Sequence, residues 1–225
     1  MRLHNADLLA SERVQWIRAQ SEGEADVRVS GPLRKLSAGS MLISGSGIAH
    51  LRSGSWGTLG CFVKRLNSTG LYLLSNSHVI ANENQGAVGD EVARYGSASG
   101  FGQTIASLTE WIQLRRLGVN LHDCAVAELD DAIQIEATLA KPLAQPVEEI
   151  DDVLKVGAAT GLTRGRITAF DVDDLVFEYE PGDLLFGGQI EITGTDSQPF
   201  AARGDSGSLV VASASGGAVG LFVRR

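Results

Sequence analysis

Cysteine is nearly missing from this chain, whose 225 residues include only Cys61 and Cys124. Two thiols are too few for a disulfide framework, and they read as buried free thiols in a reducing compartment. Excess positive charge is missing too. The formal net charge of −8 argues against non-specific nucleic-acid binding and against an anionic membrane surface. No apolar run approaches membrane-spanning length, and the start "MRLHNADLLASERVQWIRAQ" has no signal-peptide core. The expected location is therefore cytoplasmic. Clustered metal ligands are also lacking, since the four histidines are isolated and the cysteines lie 63 residues apart (124 − 61). Neither a metal nor another cofactor is expected.

Glycine is plentiful, at 27 residues, while methionine (2) and aromatic residues (6%) are scarce. That balance suits many short strands joined by tight turns better than a helical bundle. One helix is expected, over Ala6 to Gln20, where Asn5 can cap and Ala10, Val14 and Ile17 share a face. A polar linker, "SEGEADVRVSGP", follows it.

From Met41 the texture changes to short apolar runs. In the first half these are "MLISGSGIAHL", "GTLGCFVKRL", "GLYLLSNSHVIA", "DEVARYG", "TIASLTEWIQL" and "DCAVAEL". Pro142, Pro146 and "VEEIDD" mark a crossing. The second half then runs through "VLKVGAAT", "GRITAFDV", "LVFEYE", "GQIEIT", "GSLVVAS" and "AVGLFV". About six strand-like segments per half suggest an all-β fold of paired antiparallel barrels, with a single larger sandwich as the alternative from periodicity. The expected divisions are 1–40 (helix and linker), 41–135 (first barrel) and 136–225 (linker and second barrel).

The segment "GDSGSLVV" places Ser206 in a tight turn before an apolar strand. A reactive serine requires a base, and no histidine follows it, which excludes the order Ser…Asp…His of the α/β-hydrolases. His78 is the best candidate base, late in "GLYLLSNSHVIA" where a strand meets polar residues. Asp123 in "NLHDCAVAEL" precedes an apolar run, and a histidine N–H is one way to satisfy a partly buried carboxylate. His122 beside it points to the other face of a strand. The order His78, Asp123, Ser206 then supplies base, orienting carboxylate and nucleophile. Gly204 permits close backbone approach, and the N–H groups of Gly204 and Ser206 are the candidate oxyanion donors.

"GTLGCFV", "YLLSNSHVIA", "DCAVAEL", "GLTRGRI" and "GDSGSLVV", in this order, resemble the trypsin-like serine peptidases of the chymotrypsin fold, above all their intracellular bacterial-type members. The likeness runs from about Gly57 to the end. It implies two six-stranded barrels with the triad in the cleft between them, and peptide-bond hydrolysis through an acyl-enzyme. It also places Phe200, six residues before Ser206, at the floor of the specificity pocket, although core packing serves that residue equally well. Such a floor favours small or aliphatic substrate residues over Arg.

Two departures stand out. The Ile-Val-Gly-Gly start that zymogen cleavage exposes is missing, so Asp205 has no freed α-amine assigned to it. The chain also stops at "GLFVRR", where family members usually continue with pocket-lining residues. The expected function is a serine endopeptidase acting on a protein or peptide, latent until processing or a regulatory protein partner on the N-terminal helix activates it. The alternative is a catalytically silent module that binds a partner in the cleft.

Overall fold

The computed structural model describes residues 2–3, 15–16, 19–20, 28–29 and 41–223, apart from 67, 97–98, 137–139, 180–181 and 196–198. The helix expected over Ala6 to Gln20 lies largely outside the described residues. The chain divides into two units, 1–40 and 41–225. In the first, β1 (Arg2–Leu3) pairs in parallel with β2 (Arg28–Val29).

In the second unit, residues up to Leu129 build one curled antiparallel sheet. Its strands are β3 (Gly47–His50), β4 (Gly57–Thr58), β5 (Cys61–Lys64), β6 (Leu71–Ser75), β7 (Glu91–Gly96), β8 (Gly100–Trp111) and β10 (Ala125–Leu129), in the order β4-β3-β7-β8-β10-β6-β5. The two outermost strands are consecutive in sequence, so the sheet curls round on itself at Leu59–Gly60. This explains why seven strands stand where six runs were expected. "GTLGCFVKRL" is one apolar run, but its first part pairs with β3 and its second with β6, turning a barrel corner between them. Alternate residues face inward, and Ile48, Leu59, Phe62, Leu73, Val92, Ile105 and Leu108 fill the interior.

The second half is a five-stranded antiparallel sheet. It comprises β11 (Asp152–Gly157), β12 (Gly161–Val172), β15 (Gln189–Gly194), β16 (Leu209–Ala212) and β17 (Ala218–Leu221), in the order β15-β12-β11-β16-β17. Val153, Ile167, Phe200, Val210 and Ala212 form its core.

The count differs from six because β13 (Leu175–Phe177) and β14 (Leu184–Phe186) leave this sheet. They make a small sheet of their own, in which β14 pairs in parallel with β9 (Val119–Asn120) from the first half. Phe177, Leu184 and Phe186 close over Leu114 on its inner side. The architecture is thus all-β, with two curled half-barrels and little helix.

Candidate active site

β6 ends at Ser75, and the short helix Ser77–Ile80 begins two residues later. Burial of Val79 and Ile80 in the first core leaves His78 on the opposite side, with 14% of its side chain exposed. Asp123 sits just before β10, the neighbour of β6, and its carboxylate has no exposure. His122 beside it is exposed, as is Leu121; the strand expected here begins only at Ala125, so alternation does not set their faces.

Asp123 is saturated with donors. Its Oδ1 accepts from the backbone N–H of Ser77 at 2.6 Å and of His78 at 3.2 Å. Its Oδ2 lies 2.5 Å from His78 Nδ1 and accepts from the Tyr179 hydroxyl at 2.9 Å. A carboxylate at Nδ1 requires the proton there, which leaves Nε2 with its lone pair. Burial alone would lower the His78 pKa. The charge and hydrogen bond of Asp123, joined by the Glu83 carboxylate, hold it above the ordinary imidazole value. Burial would raise Asp123, whereas the His78 charge and the bonds from His78 and Tyr179 keep it below the usual carboxylate range.

Ser206 belongs to the turn before β16 and is only 4% exposed. The turn is fastened to the first half through Thr58, whose N–H donates to the Ser206 carbonyl at 2.7 Å and whose hydroxyl donates to the Gly204 carbonyl at 2.8 Å. Gly207 brings the turn against the histidine segment. A Cβ there would lie 2.2 Å from Ser75 Oγ and 3.3 Å from the Asn76 nitrogen. At Gly204 the backbone takes φ +103°, and a Cβ would lie 2.2 Å from the Trp56 ring. Only glycine fits this position. Among the described residues, neither the Gly204 nor the Ser206 N–H donates a hydrogen bond within the protein.

Asp205 finds its partner within the second half of the chain. Its carboxylate and the Lys155 ammonium, both without exposure, lie 3.1 Å apart. Oδ2 also accepts from the Thr160 hydroxyl at 2.7 Å and the Ala202 N–H at 2.9 Å, while Oδ1 accepts from the N–H groups of Ala159 and Thr160. Burial would raise this carboxyl, yet the Ala202 amide, the Thr160 hydroxyl and Lys155 hold it below the usual range. The loop is therefore braced from within the folded body.

Phe200 is 6% exposed in the second core, edge-on to Phe222, with the Lys155 ammonium 5.4 Å from its ring centre. Sequence reasoning missed Lys155, Tyr179 and Thr58. Lys155 had a signal, because it occupies an inward position of β11 between Val153 and Gly157. A lysine buried there demands an anion.

Residues 98–219, more than half of the chain, match the model of the Nal1 C-terminal domain. No curated protein matches the chain. Among solved structures, a glutamic acid specific serine protease is similar at 18% identity and TM-score 0.54, over 81% of this chain and 85% of its own. Nocardiopsis protease follows at 16% and 0.53, and Thermobifida fusca protease A at 16% and 0.52; each match covers 82% of this chain and 84% of the other. At such identities the likeness shows the fold, which is the two-barrel fold of trypsin-like serine proteases.

Proposed function

The chain belongs to the Nal1 C-terminal domain family, and from the geometry around Asp123 and the Ser206 turn we propose that it is a serine endopeptidase acting through Ser206, His78 and Asp123. The observation that carries this reading is the hydrogen bond from His78 Nδ1 to Asp123. It fixes the tautomer in which Nε2 is a base, on a segment packed against the Ser206 turn. Ser206 Oγ attacks the peptide carbonyl while Nε2 takes its proton. The N–H groups of Gly204 and Ser206 receive the oxyanion, at about 3–4 kcal/mol per donor in related chemistry. His78 then protonates the leaving amine, and water reverses the sequence on the acyl-enzyme. The Lys155–Asp205 pair keeps the donor loop formed without a freed α-amine, so no cleavage at the N-terminus is required.

In this reading Phe200 at the pocket floor provides no acid for Arg or Lys, and cleavage after small or aliphatic residues is faster. The test is turnover of casein and of a peptide library by the wild type and by Ser206→Ala. Turnover lost in the variant supports the proposal. Binding without turnover by either protein supports a silent cleft module instead, and a profile dominated by Arg overturns the assignment of Phe200.

A further inference from the structure

We propose that Tyr179 is a positioning residue for the His78–Asp123 pair, its hydroxyl locking the carboxylate in the rotamer that holds the imidazole. The inference rests on the peptidase reading of the cleft. Among the described residues, three of the four donors to the Asp123 carboxylate come from Ser77 and His78 themselves and move with that segment. The Tyr179 hydroxyl, 56 residues away in sequence, is the fourth donor to this carboxylate and comes from outside that segment. It shares Oδ2 with the imidazole, so it bears on the oxygen that sets the imidazole orientation.

The position of Tyr179 is built rather than incidental. Its ring stacks on fully buried Phe186 at 6.1 Å between centres and stands edge-on to His78 at 5.5 Å. Phe186 belongs to β14, which pairs with β9 at Asn120. Asn120 is itself buried and donates to the carbonyls of Arg115 and Leu185. Three residues after Asn120 the chain reaches Asp123. Tyr179 and Asp123 thus extend from the same small sheet and meet at their tips. A phenylalanine would keep the packing and lose only the O–H.

Among the described residues, the other titratable groups that act with the pair are Glu83, on both His78 and Tyr179, and Cys124, which feels Asp123. Neither donates to Oδ2 among the described residues.

The experiment uses the full chain with Tyr179→Phe and, separately, with 3-fluorotyrosine at position 179, a stronger donor of nearly the same shape. His78 titration is followed by NMR, and kcat/KM against pH on the best library peptide. Removing the donor concentrates charge on Asp123. The Phe variant is therefore expected to shift the His78 titration and the acid limb upward by about half a pH unit. Its kcat is expected to fall about tenfold at unchanged KM. Fluorotyrosine shifts both in the opposite direction. If neither substitution moves the titration, the proposal is overturned, even where peptidase activity is robust. If the wild type turns nothing over, the peptidase reading fails, and the NMR titration still decides the role of Tyr179. If the Phe variant does not fold, the fluorotyrosine shift decides it.

Discussion

Replacing Lys155 by methionine removes the ammonium from Asp205 while leaving a side chain of similar length in its place. Both charged groups have no exposure, so the variant strands a buried carboxylate. Breaking a buried pair from one side costs about 3–5 kcal/mol. Asp205 retains four other donors, from Ala159, Thr160 (two) and Ala202. This argues for the lower end, about 3 kcal/mol. In a body of this size that corresponds to a Tm lower by about 6–12 °C. The pH dependence has a definite sign. Asp205 has a depressed pKa in the fold, so its contribution is present above the ordinary carboxylate pKa and lost as pH falls through the folded value. Without Lys155 that value rises, and acid destabilisation begins at higher pH. Because the pair braces Gly204 and Ser206, labelling of Ser206 by a fluorophosphonate is also expected to slow about a hundredfold. Thermal melts at neutral pH and across the carboxylate range, with labelling rates beside them, measure both effects. The double variant Lys155→Met/Asp205→Asn is expected to recover part of the lost stability. A single variant with wild-type Tm and labelling rate would refute the bracing argument.

Three further outcomes follow from the same geometry. Asp123→Asn leaves the hydrogen-bonding shape but favours the wrong imidazole tautomer, and kcat is expected to fall by about 10⁴ in steady-state assays. On the proposed reading His78 must be neutral to act as the base, and it is held above its ordinary value of 6.5. Activity should therefore be lost as pH falls through a midpoint above 6.5, and an acid limb centred below it would contradict the Asp123–His78 coupling. Gly204→Ala introduces a Cβ at φ +103° against Trp56. It is expected to cost about a hundredfold in kcat by displacing an oxyanion donor, with a change in tryptophan fluorescence as the accompanying signal.

The motifs around His78, Asp123 and Ser206 were readable because each is local: a strand end, a pre-strand aspartate and a serine turn. Alternation likewise carried the all-β architecture. The pairing of His78 with Asp123 followed from those motifs, whereas the further partners, Tyr179 on Asp123 and Lys155 on Asp205, did not. Tyr179 lies in "FEYE", an ordinary strand end, and reaches Asp123 only because β14 pairs with β9 across the halves. Lys155 reaches Asp205 across 50 residues of chain, so its anion is fixed by the packing of β11 beside β16 and not by a motif. The strand counts diverged for a related reason. Leu59–Gly60 turns a barrel corner, and Leu175–Phe177 changes sheets, neither of which interrupts the apolar pattern.

The most direct measurement is covalent labelling with a fluorophosphonate, read by intact mass and peptide mapping, on the wild type, Ser206→Ala and His78→Ala. The account requires a single adduct on Ser206 in the wild type, none in Ser206→Ala and strongly slowed labelling in His78→Ala. A wild-type protein that stays unlabelled, or one labelled only at another serine, would contradict it.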